Sequence, residues 1–291
     1  MNLSMFDAKP IITSIQVAGI SNAIDVLRLD LVHPLISGNK WYKLKYNLQE
    51  AQKNGYKELL SFGGAYSNHL HALAYAAHLH GMKSIGIVRG ETLENPTLDD
   101  CRQWGMQLHT FSRQKYRMKK EPQILNELHA QFPEAYIIPE GGDNEDGLKG
   151  CREILMGIDL SEYDVIACAV GTGTTLCGIA DTVPDHIKVL GFAAMKNDST
   201  LREHIHKRSS HPDIHLVFDE IFGGFGRLTS ELQAYMHQFI KEYGFELDRV
   251  YTAKMMANLT ALFAAGSLDA SARVLAIHTG GLQGNRSLSG R

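Results

Sequence analysis

An α/β fold built on parallel sheets is what this 291-residue sequence predicts, and three features of it carry the prediction. Short apolar runs and amphipathic stretches alternate along most of the chain with short connections between them, which is the signature of successive βαβ units. Val165-Ile-Ala-Cys-Ala-Val170 is apolar at every position, as a strand buried on both faces must be. Two of the strand-to-helix turns, at Gly63-Gly64 and Gly171-Thr-Gly-Thr-Thr175, are rich in glycine and in hydroxyl or amide side chains.

Taken in order, Ile24 to Val32 alternates apolar and polar residues and is β-like, until Pro34 and Ser37-Gly38 break it. Asn39 and Lys40 start a helix running to about Asn54. Further strands are expected at Leu59 to Phe62, Ser84 to Val88, Gln107 to Phe111, Tyr136 to Ile138, Val165 to Val170, Lys188 to Ala193, Ile214 to Phe218 and Arg273 to Ile277. Helices are expected between them at Tyr66 to His80, Pro96 to Trp104, Pro122 to Gln131, Asp146 to Ile158, Ser199 to His206, Thr229 to Tyr243 and Ala253 to Gly266. The length suits two lobes, and the turn chemistry of Pro139-Glu-Gly-Gly-Asp-Asn144 makes it the best candidate boundary.

The glycine-rich turns are where chemistry is expected. A strand ending in Gly63-Gly64 places Ser67, Asn68 and His69 at a helix start, where unpaired N–H groups and the helix dipole favour a carboxylate or a phosphate. An ordinary N-cap uses the same residue types. Gly171 to Thr175 follows a buried strand and combines close backbone approach with threonine donors, so a single phosphate is its natural occupant; a capped turn is the alternative. It is neither a dinucleotide fingerprint nor a nucleoside-triphosphate loop. Lys40, in a first helical turn, is placed as an amine for capturing a carbonyl, although most lysines are only solvated. Phe222-Gly-Gly-Phe-Gly-Arg227 is either a loop over the site or a simple glycine-rich turn.

Composition narrows the alternatives. With Lys plus Arg 29 against Asp plus Glu 32, net charge −3 and no basic block, nucleic acid and anionic membrane are disfavoured as partners. The four cysteines form no C-x-x-C and read as reduced, mostly buried thiols of a cytoplasmic protein. Met1 to Pro10 has no leader pattern, and no run approaches membrane-spanning length. Among fourteen histidines, His69-x-His71 and His78-x-His80 suggest metal, but no established ligand spacing supports it. No G-x-S-x-G elbow is present.

Three motifs, Ser37-Gly-Asn-Lys40, Gly63-Gly64 with Ser67-Asn68-His69, and Gly171 to Thr175, together with Val250-Tyr-Thr-Ala-Lys254 and Ile277-His-Thr-Gly-Gly281, resemble one family. It is that of 1-aminocyclopropane-1-carboxylate deaminase and D-cysteine desulfhydrase, which are pyridoxal-phosphate enzymes. The resemblance implies a tryptophan-synthase-β-like fold (fold type II) with the cofactor between two domains: residues 1–42 plus 144–291 as the large one, and 43–143 as a small insert. It implies that Lys40 binds the cofactor aldehyde and moves the substrate's α-proton. Gly171, Thr172, Gly173, Thr174 and Thr175 hold the phosphate, Asn68 the ring hydroxyl, and Thr279 faces the pyridine nitrogen. Ser67, Asn68 and His69 take the substrate carboxylate, and Tyr251 lies near the reacting bond, with Lys40, Ser67 and Tyr251 as the catalytic set. A homodimer and a small amino-acid substrate are also implied.

Cyclopropane-opening members of that family carry Glu after the tyrosine and Leu at the place of Thr279, whereas this chain has Thr252 and Thr279, as desulfhydrases do. The expectation is therefore D-cysteine desulfhydrase-like β-elimination, with cyclopropane deamination as the alternative and a non-catalytic binder of a phosphorylated small molecule as a distant one. Tyr42 and Lys45 depart from the family pattern, in which an arginine and an acid are usual.

Overall fold

The computed structural model describes residues 11–91, 94–195 and 199–288. The leader reading of Met1 to Pro10 therefore lies outside the described residues. The chain divides into two units, 1–39 with 151–282, and 40–150 with 283–291.

The first unit holds a six-stranded sheet in the order β1-β2-β10-β7-β8-β9. Its strands are β1 (Ile12–Ile15), β2 (Ile24–Arg28), β7 (Val165–Val170), β8 (Lys188–Ala193), β9 (Ile214–Phe218) and β10 (Val274–His278). All neighbours are parallel except β1 and β2, which pair antiparallel with Ile12 opposite Leu27. Every residue of β7 is buried, as its uninterrupted apolar run requires. Helices α7 (Thr174–Ala180), α8 (Ser199–Arg208), α9 (Ser230–Tyr243) and α10 (Thr252–Ala264) belong to this unit. One face of the sheet packs Val26, Ala167, Phe192 and Ala276 against Leu232, Phe239, Met256 and Leu259 of α9 and α10.

The second unit holds a parallel four-stranded sheet, β5-β4-β3-β6, made of β3 (Glu58–Gly63), β4 (Lys83–Arg89), β5 (Met106–Phe111) and β6 (Ala135–Ile137). Its helices are α1 (Asn39–Lys53), α2 (Asn68–Leu79), α3 (Pro96–Gln103), α4 (Arg113–Arg117), α5 (Pro122–Gln131) and α6 (Glu145–Cys151). Leu60, Phe62, Ile85 and Ile87 pack with Tyr116, Ile124 and Leu128 as its core. Gly63 lets α2 lie against β3, since a Cβ there would meet Ser67 Oγ at 2.4 Å and Leu70 Cγ at 2.8 Å.

The α/β class with parallel sheets holds, and four local expectations change. Strand β1 is additional: Ile11 and Ile12 are exposed, so no alternation announces it, and the edge of β2 supplies its partner. The strand expected over Ile24 to Val32 stops at Arg28, where the guanidinium turns back onto Asp30 (2.8 and 2.6 Å) and Leu29–Leu31 forms a 3-10 turn. The helix expected from Asp146 to Ile158 ends at Cys151, its two interior glycines giving it weak propensity. Helix α4 was not expected at all. All four cysteines are buried, with none in a disulfide, and burial pushes the Cys101 thiol up to about 12. Among the described residues, no helix is long and apolar enough to cross a membrane.

Candidate active site

In the first unit the loop after β7 starts α7 without a side-chain cap. Gly173 occupies the N-cap position in the left-handed region (φ +92°), and the first helical bond runs from Cys177 N–H to Gly173 O. The N–H groups of Thr174, Thr175 and Leu176 thus precede any intrahelical acceptor. Thr172 Oγ1 and Thr174 Oγ1 lie 3.2 Å apart, and Thr175 Oγ1 accepts from Asn39 Nδ2 at 2.8 Å. This donor set, with no acidic side chain in Gly171–Thr175, fits a phosphate.

Asn39 also donates its backbone N–H to Thr279 O (3.2 Å), so one residue ties the loop after β7 to the loop after β10. The approach is close enough to require glycine. A Cβ on Gly38 (φ +68°) would lie 1.9 Å from Thr279 O, and one on Gly280 would meet Ser37 Oγ at 2.5 Å. Thr279 is buried by this arrangement, and Lys40 follows Asn39 directly at the start of α1. The sequence reading gave Asn39 no role beyond starting the helix.

Tyr251 stands at the N-cap of α10, its N–H on the Asp248 carboxylate (3.1 Å) and its ring on the loop after β7. A Cβ on Gly171 would lie 3.2 Å from the Tyr251 hydroxyl. Thr252 is fully buried, and its hydroxyl accepts from Asp248 N (2.7 Å) and donates to Asp248 Oδ1 (3.1 Å). Burial raises the Asp248 carboxyl above its ordinary range, against the pull of the Thr252 and Val250 N–H groups and His278.

Lys254 is a second residue whose role the sequence reading missed, although it lies in a quoted motif. Its ammonium is buried and donates to Asp219 Oδ2 (2.7 Å) and Gly224 O (2.5 Å). Asp219 in turn accepts from Phe222 N (2.8 Å) and Gly224 N (3.0 Å), so the pair shapes the whole turn 222–227. Burial opposes ionisation of Asp219, but Lys254 and the two N–H groups outweigh it and hold the carboxylate below the usual range. Phe225 is exposed at the tip and meets the Tyr251 ring edge-on at 6.0 Å. Arg227 folds beside its own turn, 3.1 Å from where a Gly223 Cβ would be.

In the second unit Ser67 caps α2, its hydroxyl accepting from Leu70 N at 3.2 Å. Asn68 and His69 are the first two helical residues, so their N–H groups have no intrahelical acceptor. Asn68 Oδ1 accepts from Gln283, which the 3-10 segment Leu282–Leu288 carries. Arg286 of the same segment bonds Asp100 (2.5 Å), which also meets His71 at 3.0 Å. His69 is buried, with Nε2 3.0 Å from Ser61 Oγ. Burial first, then the charges of Lys40 and Lys43, hold its pKa well below the usual imidazole value. Lys40 itself is half-buried.

The unit holding β7 thus brings Gly171–Thr175, Tyr251 and Thr279 together; the other brings Lys40, Ser67, Asn68 and His69 together. Taken separately, the first set fits a phosphate and the second offers an amine, Lys40, near a helix start. The profile of pyridoxal-phosphate-dependent enzymes matches residues 10–280. A Thermotoga maritima protein, provisionally named a 1-aminocyclopropane-1-carboxylate deaminase, is 30% identical over 285 residues, covering 90% of this chain and 89% of its own. An Arabidopsis thaliana mitochondrial protein named as a bifunctional D-cysteine desulfhydrase and 1-aminocyclopropane-1-carboxylate deaminase is 27% identical, covering 89% of this chain and 72% of its own. The crystal structure of an ACC deaminase homologue superposes with a TM-score of 0.82 at 25% identity, covering 97% of this chain and 92% of that one.

The chain belongs to the pyridoxal-phosphate-dependent enzymes of fold type II. Within them it groups with the 1-aminocyclopropane-1-carboxylate deaminases and D-cysteine desulfhydrases, and it is a lyase or deaminase with pyridoxal phosphate as its cofactor.

Proposed function

We propose that the protein catalyses β-elimination on a small amino acid of the D-cysteine type, giving pyruvate, sulfide and ammonia, and that it does so as a homodimer. The observation that carries the choice is Thr252, a buried threonine hydrogen-bonded to Asp248 where cyclopropane-opening members place a glutamate. A glutamate there would set a second carboxylate beside the buried Asp248. The Arabidopsis relative, whose name joins both activities, makes cyclopropane deamination the second reading.

Pyridoxal phosphate supplies the electron sink into which the broken Cα–H bond releases its pair. The chain supplies the rest. Lys40 Nζ would hold the cofactor's aldehyde carbon and carry the α-proton. The N–H groups and hydroxyls of Thr172, Thr174 and Thr175 would take the phosphate, with Gly171 and Gly173 letting the backbone approach it. The Asn68 amide would meet the ring hydroxyl, and the Thr279 hydroxyl the ring nitrogen. The N–H groups of Asn68 and His69, with Ser67, would hold the substrate carboxylate, with the Tyr251 hydroxyl near the leaving group. A neutral threonine at the ring nitrogen gives a weaker electron sink than an aspartate would, which suits expulsion of a good leaving group such as thiolate.

The test is an absorbance spectrum of the purified protein from about 300 to 500 nm, before and after D-cysteine, with sulfide and keto acid assayed together. A cofactor band that changes as sulfide is released supports the reading. A band untouched by D-cysteine but altered by the cyclopropane acid favours the second one. The structure also predicts that Thr252→Glu costs about 3 kcal/mol of stability, because the new carboxylate is buried beside Asp248. Chemical denaturation checks this, and an unchanged midpoint with new cyclopropane activity would overturn the choice of substrate.

A further inference from the structure

Strand β10 ends on His278, whose imidazole is fully buried between two backbone groups. Nε2 lies 2.8 Å from Glu246 O, and Nδ1 accepts from Gly280 N at 3.2 Å. Both partners have fixed roles, since a carbonyl only accepts and a peptide N–H only donates, so the ring proton is on Nε2 and Nδ1 is bare. An Asp30 carboxylate oxygen lies farther from Nδ1, at 3.4 Å, and that carboxylate is already held by two bonds from Arg28 (2.8 and 2.6 Å).

The Gly280 N–H belongs to the peptide group that joins Thr279 to Gly280. The carbonyl of the same group, Thr279 O, accepts from Asn39 N at 3.2 Å. One peptide plane is therefore gripped at both ends, by His278 at its N–H and by Asn39 at its oxygen. Because the peptide is rigid, fixing its plane fixes ψ of Thr279 and φ of Gly280, which stands at +76°. The direction in which the buried Thr279 side chain leaves the backbone is fixed with them.

We propose that His278 is a positioning residue for the cofactor ring: through the Gly280 N–H it sets Thr279 where the functional reading above, on which this rests, puts a hydroxyl against the ring nitrogen. His278 touches neither cofactor nor substrate in this role. Its loss acts on the strength of the electron sink, and so on the chemical step, and leaves amino-acid binding largely alone.

The experiment compares two substitutions. His278→Asn puts a side-chain oxygen where Nδ1 stands and restores the acceptor for Gly280, whereas His278→Gln reaches to the Nε2 position, keeps a donor for Glu246 O and loses the Gly280 bond. With pyridoxal phosphate labelled with nitrogen-15 in its ring, His278→Gln should move the ring-nitrogen signal in the same direction as Thr279→Val does. It should cut kcat on D-cysteine about tenfold, the worth of one hydrogen bond, with KM within about twofold of the wild type. His278→Asn should leave the signal in place and keep kcat within about threefold. A ring-nitrogen signal that stays at its wild-type position in either His278→Gln or Thr279→Val overturns the proposal, and so do equal losses in the Asn and Gln variants.

A second measurement needs no substitution. Thr-Gly occurs only at Thr172-Gly173 and Thr279-Gly280, so carbon-13 carbonyl threonine combined with nitrogen-15 glycine isolates those two amides. The Gly280 amide should exchange slowly with solvent, with or without cofactor, and rapid exchange overturns the clamp even if neither variant folds. That amide is read without turnover, so its failure is distinct from failure to release sulfide.

Discussion

The turn after β7 and the turn after β3 are both glycine-containing strand-to-helix connections in parallel sheets, yet they present opposite resources. Helix α7 starts from left-handed Gly173 with no side chain on its first N–H groups, which leaves backbone donors as the main feature of the turn. Helix α2 starts from Ser67, whose hydroxyl is spent on Leu70 N–H, and its distinctive resource is a buried imidazole with one nitrogen in use. One turn is an anion cradle made of main chain. The other is a side-chain site built on Ser67 and the buried His69.

The largest expected effect tests whether the two turns serve one cofactor. Lys40→Ala should abolish the cofactor's covalent absorbance band and cut turnover by at least ~10³-fold. Full lyase activity in that variant would dissolve the link. Gly173→Ala comes next. At φ +92°, with a Cβ 3.0 Å from Ile205 Cγ1, alanine should cost about 1–2 kcal/mol and weaken cofactor retention about tenfold. Equilibrium dialysis of the cofactor checks it, and wild-type retention would show that the loop after β7 is not the phosphate cradle. Ser67→Ala should cost about 1 kcal/mol through the lost cap, lowering Tm by about 2–4 °C. It should raise KM for the amino acid while leaving cofactor content alone; a loss of cofactor equal to that of Gly173→Ala would erase the contrast.

The smallest effect is in pH dependence, where His69 and Asp248 should respond with opposite signs. His69 has a folded pKa below its unfolded value, so as pH falls through about 6.5 the unfolded chain takes a proton that the native site refuses, and stability drops. Asp248 has a folded pKa above its unfolded value, so its buried charge costs stability at neutral pH, and that cost is relieved as pH falls toward the carboxylate range. Comparing denaturation midpoints of His69→Asn and Asp248→Asn with the wild type across pH 4 to 8 separates them. The His69 variant should show a smaller drop below about 6.5, the remainder coming from His33 and His80, whose burial also lowers their pKa; a drop as large as the wild type's would show that His69 contributes nothing to it.

Much of this was legible in the residues. Val165–Val170 and Lys188–Ala193 were readable to the residue because buried parallel strands are apolar runs bounded by polar turns. Ser67 as a cap and glycines after strands were readable for equally local reasons. Strand β1 was not, since its pairing is made by β2 and its own residues are half-exposed. Asn39 and Lys254 were not either: each acts through partners distant in sequence, Thr175 and Thr279 for one, Asp219 and Gly224 for the other.

By itself, then, the sequence determined the alternation of strands and helices, the glycine-bearing turns and the candidate lysine, all properties of short-range periodicity and local backbone chemistry. Only the tertiary structure decided which polar and charged groups are buried and with which partners. It put the Ser61 hydroxyl on Ile138 O and beside His69 Nε2, tied Thr252 into Asp248, and buried Lys254 against the turn at 222–227. Hydrogen bonds and burial depend on atoms brought together from far along the chain, and no window of sequence contains both partners.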